Sequence, residues 1–205
     1  MTHTFDVIIL GGGNAGFGVS AIASEAGKSV AFVEEAEFGG VCPNRGCTPK
    51  KVLVAAATAL DQIARAPAHG IDVGPAKLDW SALIERKTEM IGFIPGAIEG
   101  LAEKRGTVFR GRGRFIGENR VQVGEEILEA EHIVIATGST PRPLPIPGAE
   151  HLITSDEVLS DPQQPESVIF IGGGVVALEF AHVYARAGTR VTVLEVAPQI
   201  LPRFE

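Results

Sequence analysis

Residues 5–16 read Phe5-Asp6-Val7-Ile8-Ile9-Leu10-Gly11-Gly12-Gly13-Asn14-Ala15-Gly16. Phe5 to Leu10, with its apolar run Val7 to Leu10, predicts a buried parallel strand. The glycines predict a tight turn into a helix from about Asn14 to Ala26, with Ala15, Val19, Ile22 and Ala26 on one face. Gly27 ends that helix. Val30 to Val33 predicts the next strand, and Glu34 closes it. Together these segments have the form of a Rossmann-type unit. Gly11 permits the turn, Gly13 lets the backbone approach a pyrophosphate, and Gly16 lets helix and strand pack closely. The helix amino end at Asn14 and Ala15 favours the phosphate charge. Glu34 is placed to hydrogen-bond ribose hydroxyls.

The same pattern returns at a constant offset of 161 residues. Val168 to Ile171 is the strand, and Gly172-Gly173-Gly174-Val175-Val176-Ala177 is the turn. The helix ends at Ala187-Gly188, and Val191 to Leu194 leads to Glu195. A lone glycine-rich turn would be weak grounds for nucleotide binding. Two copies with turn, helix, strand and acid in register are strong grounds. Ala177 stands at the third glycine position, where alanine is an accepted variant. Glu195 pairs with a free 2′-hydroxyl and repels a 2′-phosphate, so NADH is favoured over NADPH. Arg190 falls at the start of its strand, whereas Arg203 is expected within reach of the ribose region.

The chain has 205 residues, 45% of them hydrophobic, and a net charge of −7. This content supports one sizeable core or two small ones. The acidic balance argues against nucleic acid as a partner. Arg110, Arg112 and Arg114 form the local basic cluster, and their period-two spacing predicts one solvated strand face. No stretch approaches the roughly 20 apolar residues of a membrane helix, so no membrane partner is expected. The amino terminus lacks a signal-peptide pattern, from which a cytoplasmic location is expected.

Between the two copies, helices are predicted at Pro49–Arg65, from Trp80 to about Gly92 with Asp79 as its cap, and beyond Pro95 to near Gly106. Strand-like segments then run from Thr107 to Ala136, with turns at Gly117-Glu118-Asn119 and Gly124-Glu125-Glu126. A buried run, His132 to Ala136, reaches Thr137-Gly138-Ser139. A domain boundary is expected near residues 140–160.

Both cysteines lie in Gly39-Gly40-Val41-Cys42-Pro43-Asn44-Arg45-Gly46-Cys47-Thr48-Pro49-Lys50-Lys51. Two buried thiols, or half of a zinc site, are alternatives to a redox pair. Four intervening residues make poor zinc spacing, and there is no second cysteine pair. No metal is expected. In a cytoplasmic protein a permanent structural disulfide is disfavoured, and a cysteine pair is more often redox-active or metal-binding.

In order and spacing these motifs resemble the class I pyridine nucleotide-disulfide oxidoreductases, which include glutathione reductase, dihydrolipoyl dehydrogenase and mercuric reductase. Gly39 to Lys51 matches the family's redox motif. Ile135-Ala136-Thr137-Gly138-Ser139 resembles its second FAD contact, and Gly111 to Phe115, centred on Gly113, the segment that meets the adenine. Gly172 to Glu179 resembles its nicotinamide fingerprint. The resemblance implies an α/β fold. A Rossmann-like FAD-binding domain with an inserted antiparallel β-meander occupies 1–150, and the start of a second Rossmann-like NAD(P)-binding domain occupies 151–205. It also implies an electron relay from NAD(P)H through FAD to a Cys42–Cys47 disulfide and on to a small disulfide substrate. Cys47 is then the flavin-side thiol and Cys42 the interchange thiol. Lys50 matches the lysine near the reactive flavin nitrogen, and Glu179 its ion-pair partner. Gly40 and Val41 border the flavin.

A glutathione reductase-like substrate is expected from Pro49-Lys50-Lys51. Dihydrolipoyl dehydrogenase-like and mercuric reductase-like enzymes are the alternatives, and Glu195 pulls toward the lipoamide enzymes. Family members are far longer, are expected as homodimers, and carry a His-Glu pair in a carboxy-terminal domain. None of His3, His69, His132, His151 and His182 stands in that context. The 205 residues alone are therefore expected not to turn over, and an FAD-binding fragment without turnover is a further alternative.

Three positions depart from the family pattern. Val41 replaces a threonine, Pro43 stiffens the segment between the cysteines, and Val175 stands where many members carry a tyrosine that shields the nicotinamide side of the flavin. The reduced flavoprotein should therefore be reoxidised by oxygen faster than a Val175→Tyr variant. Equal oxidase rates in the two proteins would refute this.

Overall fold

The computed structural model describes residues 1–201. Arg203 lies outside the described residues. In chain order the elements are β1 (Thr2–Leu10), α1 (Asn14–Glu25), β2 (Val30–Glu34), α2 (Val41–Arg45), α3 (Cys47–Arg65), α4 (Trp80–Ile91), α5 (Ile94–Arg105), β3 (Thr107–Arg110), β4 (Gly113–Gly117), β5 (Arg120–Val123), β6 (Glu126–Ile135), α6 (Ser155–Val158), β7 (Ser167–Ile171), α7 (Val175–Arg186) and β8 (Arg190–Leu194). Packing groups them into two units. One comprises Met1–Gly46 with Ile91–Ala149, and the other Cys47–Met90 with the chain from Glu150 onward.

The first unit is built on a six-stranded sheet in the order β3-β2-β1-β6-β5-β4. Its first four strands are parallel, with Ile8 beside both Ala31 and Ile133. The pairs β5–β6 and β4–β5 are antiparallel, which is the expected meander. Val7 to Leu10 and Val30 to Val33 are buried on both faces, as central parallel strands should be. Alternate residues separate into two cores. Val7, Ile9, Val30 and Phe32 pack with Phe38 and Ala102, and with Phe17 of α1 and Ile98 of α5. Ile8, Leu10, Ala31 and Val33 pack with Val121, Val123, Leu128 and Ala130 of β5 and β6. Each fully buried aliphatic side chain stabilises the fold by about 1.5–3 kcal/mol.

The second unit holds the two-stranded parallel pair β7–β8 joined by α7. Leu53 and Ala57 of α3, Trp80, Leu83 and Ile84 of α4, and Phe180, Val183 and Tyr184 of α7 form its core. The Trp80 and Tyr184 rings stack at 4.7 Å, and Trp80 Nε1–H donates to the Asp161 carbonyl at 3.1 Å. Asp79 caps α4 as expected, its Oδ1 accepting from Ala82 N–H at 3.0 Å.

Three local expectations need correction. On α1, Gly16 and Ser20 are buried and Phe17, Val19 and Ala23 pack against the core, so Val19 faces inward as expected, while Ala15 and Ala26 are exposed and Ile22 is 72% exposed. Close packing at Gly16 sets the face, and Ala15, Ile22 and Ala26 are left outside it. Arg110, Arg112 and Arg114 do not share a strand face. Arg110 ends β3, Arg112 lies in the turn, and Arg114 is in β4. The segment His132–Ala136 is not a buried run: His132 is exposed and Ile135 is 68% exposed. The buried part of β6 is Leu128 and Ala130, where β5 residues pack against it. In addition, α2 is a helix that the cysteine spacing did not suggest, and α6 carries a Thr154–Glu157 capping box.

The middle of β1 is tied to the residues leading into β2 through Asp6. Its carboxylate accepts from Ser29 N–H at 2.8 Å, from Ser29 Oγ–H at 2.6 Å and from Lys28 Nζ at 3.2 Å. The Ser29 hydroxyl, then the Ser29 amide and Lys28, hold the Asp6 pKa at about 2, below the ordinary 3.8. A depressed carboxylate pKa contributes stability at pH values above the unfolded pKa, and that contribution is lost as pH falls toward the folded one. Denaturant unfolding should therefore show native protein more stable than Asp6→Asn by a constant amount above about pH 5. The gap should narrow below the ordinary value of 3.8 and close near 2. A gap independent of pH would refute the assignment.

Candidate functional site

The carboxyl ends of β1, β2 and β6 carry the first glycine turn. Sheet order reverses between β1 and β6, and ligands of open parallel sheets bind in the crevice at such a reversal. Gly11 leaves β1 at φ 111°, and a Cβ there would collide with the Ala136 carbonyl oxygen. Its N–H donates to the Val33 carbonyl at 2.8 Å, and Ala136 N–H donates to the Leu10 carbonyl at 2.8 Å. The predicted residues Gly11 and Ala136 are thus in close register, with Thr137, Gly138 and Ser139 continuing from β6. Gly16 packs under the Gly11 carbonyl and against Ile9, leaving no room for a Cβ.

The segment before the first cysteine lies against this turn. Gly39 N–H donates to the Gly12 carbonyl at 2.8 Å, and Gly13 and Gly39 form a parallel bridge. Gly40 has φ 66°, and a Cβ on it would lie 2.9 Å from Gly13 Cα. Phe38, fully buried, fills the space beneath Gly12. The α1 amino end is capped by Gly13 without a side-chain hydrogen bond, and its first turn holds no acidic group. The amides at Asn14 and Ala15 are not capped by a side chain of their own turn, and the glycine-lined approach suits a pyrophosphate. These residues fit the phosphates of a flavin dinucleotide. Gly113 packs against Leu10, Val33 and Val121, next to the ends of the same strands.

Each acid that closes a glycine unit is bound by its own turn. Glu34 Oε2 accepts from Gly12 N–H at 2.7 Å, and Oε1 accepts from Ala36 N–H at 2.7 Å. At the 161-residue offset, Glu195 Oε2 accepts from Gly173 N–H at 2.7 Å and Oε1 from Ala197 N–H at 2.9 Å. The Ala197 amide, then the Gly173 amide, hold the Glu195 carboxyl below the usual range. Gly172 N–H donates to the Leu194 carbonyl at 2.7 Å, matching Gly11 and Val33. In α7, Gly174 is a cap with no side-chain hydrogen bond, and its first turn carries no acid. Val175 and Val176 are exposed at that end, and Ala177 takes the place of Gly16.

Cys42 is half-buried in α2, and Cys47 is exposed as the first residue of α3. The step from Cys42 to Cys47 crosses from one packing unit to the other. Asn44 lies between them in sequence. Its Nδ2–H donates to the Phe38 carbonyl at 2.8 Å, and its Oδ1 is shut off from solvent. Within the second unit, Lys50 Nζ forms an ion pair with Glu179 Oε2, and Lys51 Nζ donates to Glu179 Oε1 at 2.5 Å. Lys50 and then Lys51 hold the Glu179 carboxyl below its ordinary value. The two residues singled out from separate motifs, 129 apart, are therefore partners. The packing of α3 on α7 that joins them is fixed further along by Arg186 to Asp61 at 2.6 Å.

Phe38, Asn44 and Lys51 were not singled out by sequence. For Lys51 the signal was present in the doubled lysine after Pro49. For Phe38 and Asn44 it was absent, because their roles depend on the fold of the Glu34–Cys42 loop. Among the described residues no group of three or more His, Cys, Asp and Glu is arranged to hold a metal. None of the described helices is long and apolar enough to cross a membrane.

Residues 5–205 match the family described as pyridine nucleotide-disulphide oxidoreductase. The chain is 36% identical to a dihydrolipoyl dehydrogenase of Chlamydia muridarum, across 98% of this chain and 45% of that protein. It is 36% identical to a glutathione reductase of Burkholderia cepacia, across 99% of this chain and 45% of that protein. To a dihydrolipoyl dehydrogenase of Acholeplasma laidlawii it is 33% identical, across 100% of this chain and 63% of that protein. The chain spans about half the length of most of these curated relatives. With a match covering nearly all of its length, and with paired glycine turns and a lysine–glutamate pair at the expected positions, the chain belongs to the pyridine nucleotide-disulphide oxidoreductase family.

Proposed function

We propose that the chain carries the flavin and redox-thiol part of an FAD-dependent NAD(P)H:disulfide oxidoreductase. Residues 1–150 supply the flavin-binding domain and 151–205 the start of the nicotinamide domain. The observation that carries the proposal is the Lys50–Glu179 ion pair. It links the residue three places beyond the second cysteine to the fifth residue of the second fingerprint helix. Neither a generic nucleotide-binding domain nor a pair of structural thiols requires that link.

FAD, when bound, supplies the two-electron carrier between nicotinamide and thiols. Gly11, Gly13, Asn14, Ala15 and Gly16 hold its pyrophosphate, Glu34 its ribose, and Gly113 and Ala136–Ser139 the approach to its remaining parts. Gly40 and Val41 border it. Cys47 receives the electron pair, which opens the disulfide, and Cys42 leaves as the thiolate that attacks a substrate disulfide. By its match to the family lysine, Lys50 is assigned the positive charge that would favour reduced, anionic flavin. Gly172, Gly174, Val175, Val176 and Ala177 receive the nicotinamide nucleotide, and Glu195 its ribose. Redox-active rather than structural thiols support a cytoplasmic location. Relatives named for glutathione and for lipoamide chemistry are both similar to the chain. Assays of the intact gene product with glutathione disulfide and lipoamide choose between them.

Two measurements test the proposal. Anaerobic titration of the FAD-loaded protein should take up about two electron pairs per flavin, and about one in Cys42→Ser or Cys47→Ser. An uptake of one pair in all three proteins would leave the thiols outside the relay. Separately, Glu195→Ala should lower the preference for NADH over NADPH by about tenfold or more, because a carboxylate against a 2′-phosphate costs several kcal/mol. Measured in the intact gene product, an unchanged kcat/KM ratio would remove Glu195 from nucleotide selection.

A further inference from the structure

We propose that Lys51 is a positioning residue. It holds the second oxygen of Glu179, so that the carboxylate presents the first to Lys50, and it makes the three-group cluster net positive. The proposal rests on the role given above to Lys50.

The geometry is set by two successive lysines at the amino end of α3. Successive helical residues are turned by roughly 100°, so their ammonium groups reach one carboxylate from different sides. Lys50 meets Oε2, which is closed to solvent, and Lys51 meets Oε1 at 2.5 Å. Lys50 is 13% exposed, Glu179 25% and Lys51 62%. With Lys50 alone, one carboxylate oxygen would be unheld and the side chain could turn about its last torsion, which is broad. The second lysine removes that freedom.

The charges point the same way. One lysine and one glutamate sum to zero and offer little net field to a group that gains negative charge. Two lysines and one glutamate leave one positive charge. Because Lys51 is mostly exposed, its ion pair contributes little to stability. Its effect should therefore appear in properties that respond to charge and carboxylate position rather than in the melting temperature.

The test compares the FAD-loaded native protein with Lys51→Gln and Lys51→Arg. The readouts are the flavin midpoint potential and the Glu179 carboxyl titration followed by ¹³C NMR. In Lys51→Gln the titration should move up toward the ordinary glutamate range. The flavin should become harder to reduce by about tenfold in equilibrium constant, or about 30 mV for two electrons. Lys51→Arg should retain both native values. An unmoved Glu179 titration overturns the proposal, as does a moved titration with an unchanged potential in flavin-loaded protein. If the native protein takes up no FAD, that failure belongs to the flavin assignment. The titration then decides the role of Lys51 alone, a rise supporting it and no change overturning it.

Discussion

Backbone passing over backbone at the first glycine turn is the constraint on which the rest of the first unit depends. Gly11 sits against the Ala136 carbonyl, Gly16 under the Gly11 carbonyl, and Gly40 against Gly13. At each of these positions a side chain would have to occupy space already filled by main chain. The consequence is a turn built almost entirely of amides, with α1 close to β1 and its amino end open. Phe38 closes the turn from below, and Arg110 stacks over the Phe38 ring at 4.9 Å. The phosphate site proposed at this turn thus rests on the absence of side chains rather than on a collection of cationic ones.

The second turn repeats the hydrogen bonds and part of the crowding, since a Cβ at Gly173 would strike Ile200 as one at Gly12 would strike Phe38. Glu195, Gly173 and Ala197 reproduce the Glu34, Gly12 and Ala36 arrangement. Yet a Cβ at Gly172 would meet nothing within 4 Å, whereas one at Gly11 would strike Ala136. Ala177 is accommodated where the first copy needs Gly16. The repeated element is therefore the acid-to-turn hydrogen bonding, which positions a carboxylate at the end of a strand. The close packing at Gly11 comes from β6 lying beside β1.

Most of the architecture was legible because strand and helix periods, glycine turns and caps are local signals. The boundaries of α4 and the turns of the meander followed from Asp79, Gly117 and Gly124. What failed did so for non-local reasons. On α1 the expected face holds at Val19 but fails at Ala15, Ile22 and Ala26, because contact at Gly16 outweighs the phase of Ile22. The arginines at 110, 112 and 114 were put on one face because strand alternation was carried through a turn. The role of residues 47–90 in the core around Phe180 and Tyr184 could not be read, because nothing in those helices names the strand or helix they pack on.

Sequence alone determined the two nucleotide-type units, the acid that ends each, the cysteine spacing and the candidacy of Lys50 and Glu179. These are properties of residue type and interval, which local backbone chemistry enforces. Tertiary structure decided that Lys50 and Glu179 meet, that Lys51 takes the second carboxylate oxygen, and that Gly39 and Gly40 lie against Gly12 and Gly13. Those contacts join segments well separated along the chain. They exist because buried side chains fix how α3 packs on α7 and how the loop after β2 packs on the glycine turn, and no local preference specifies either.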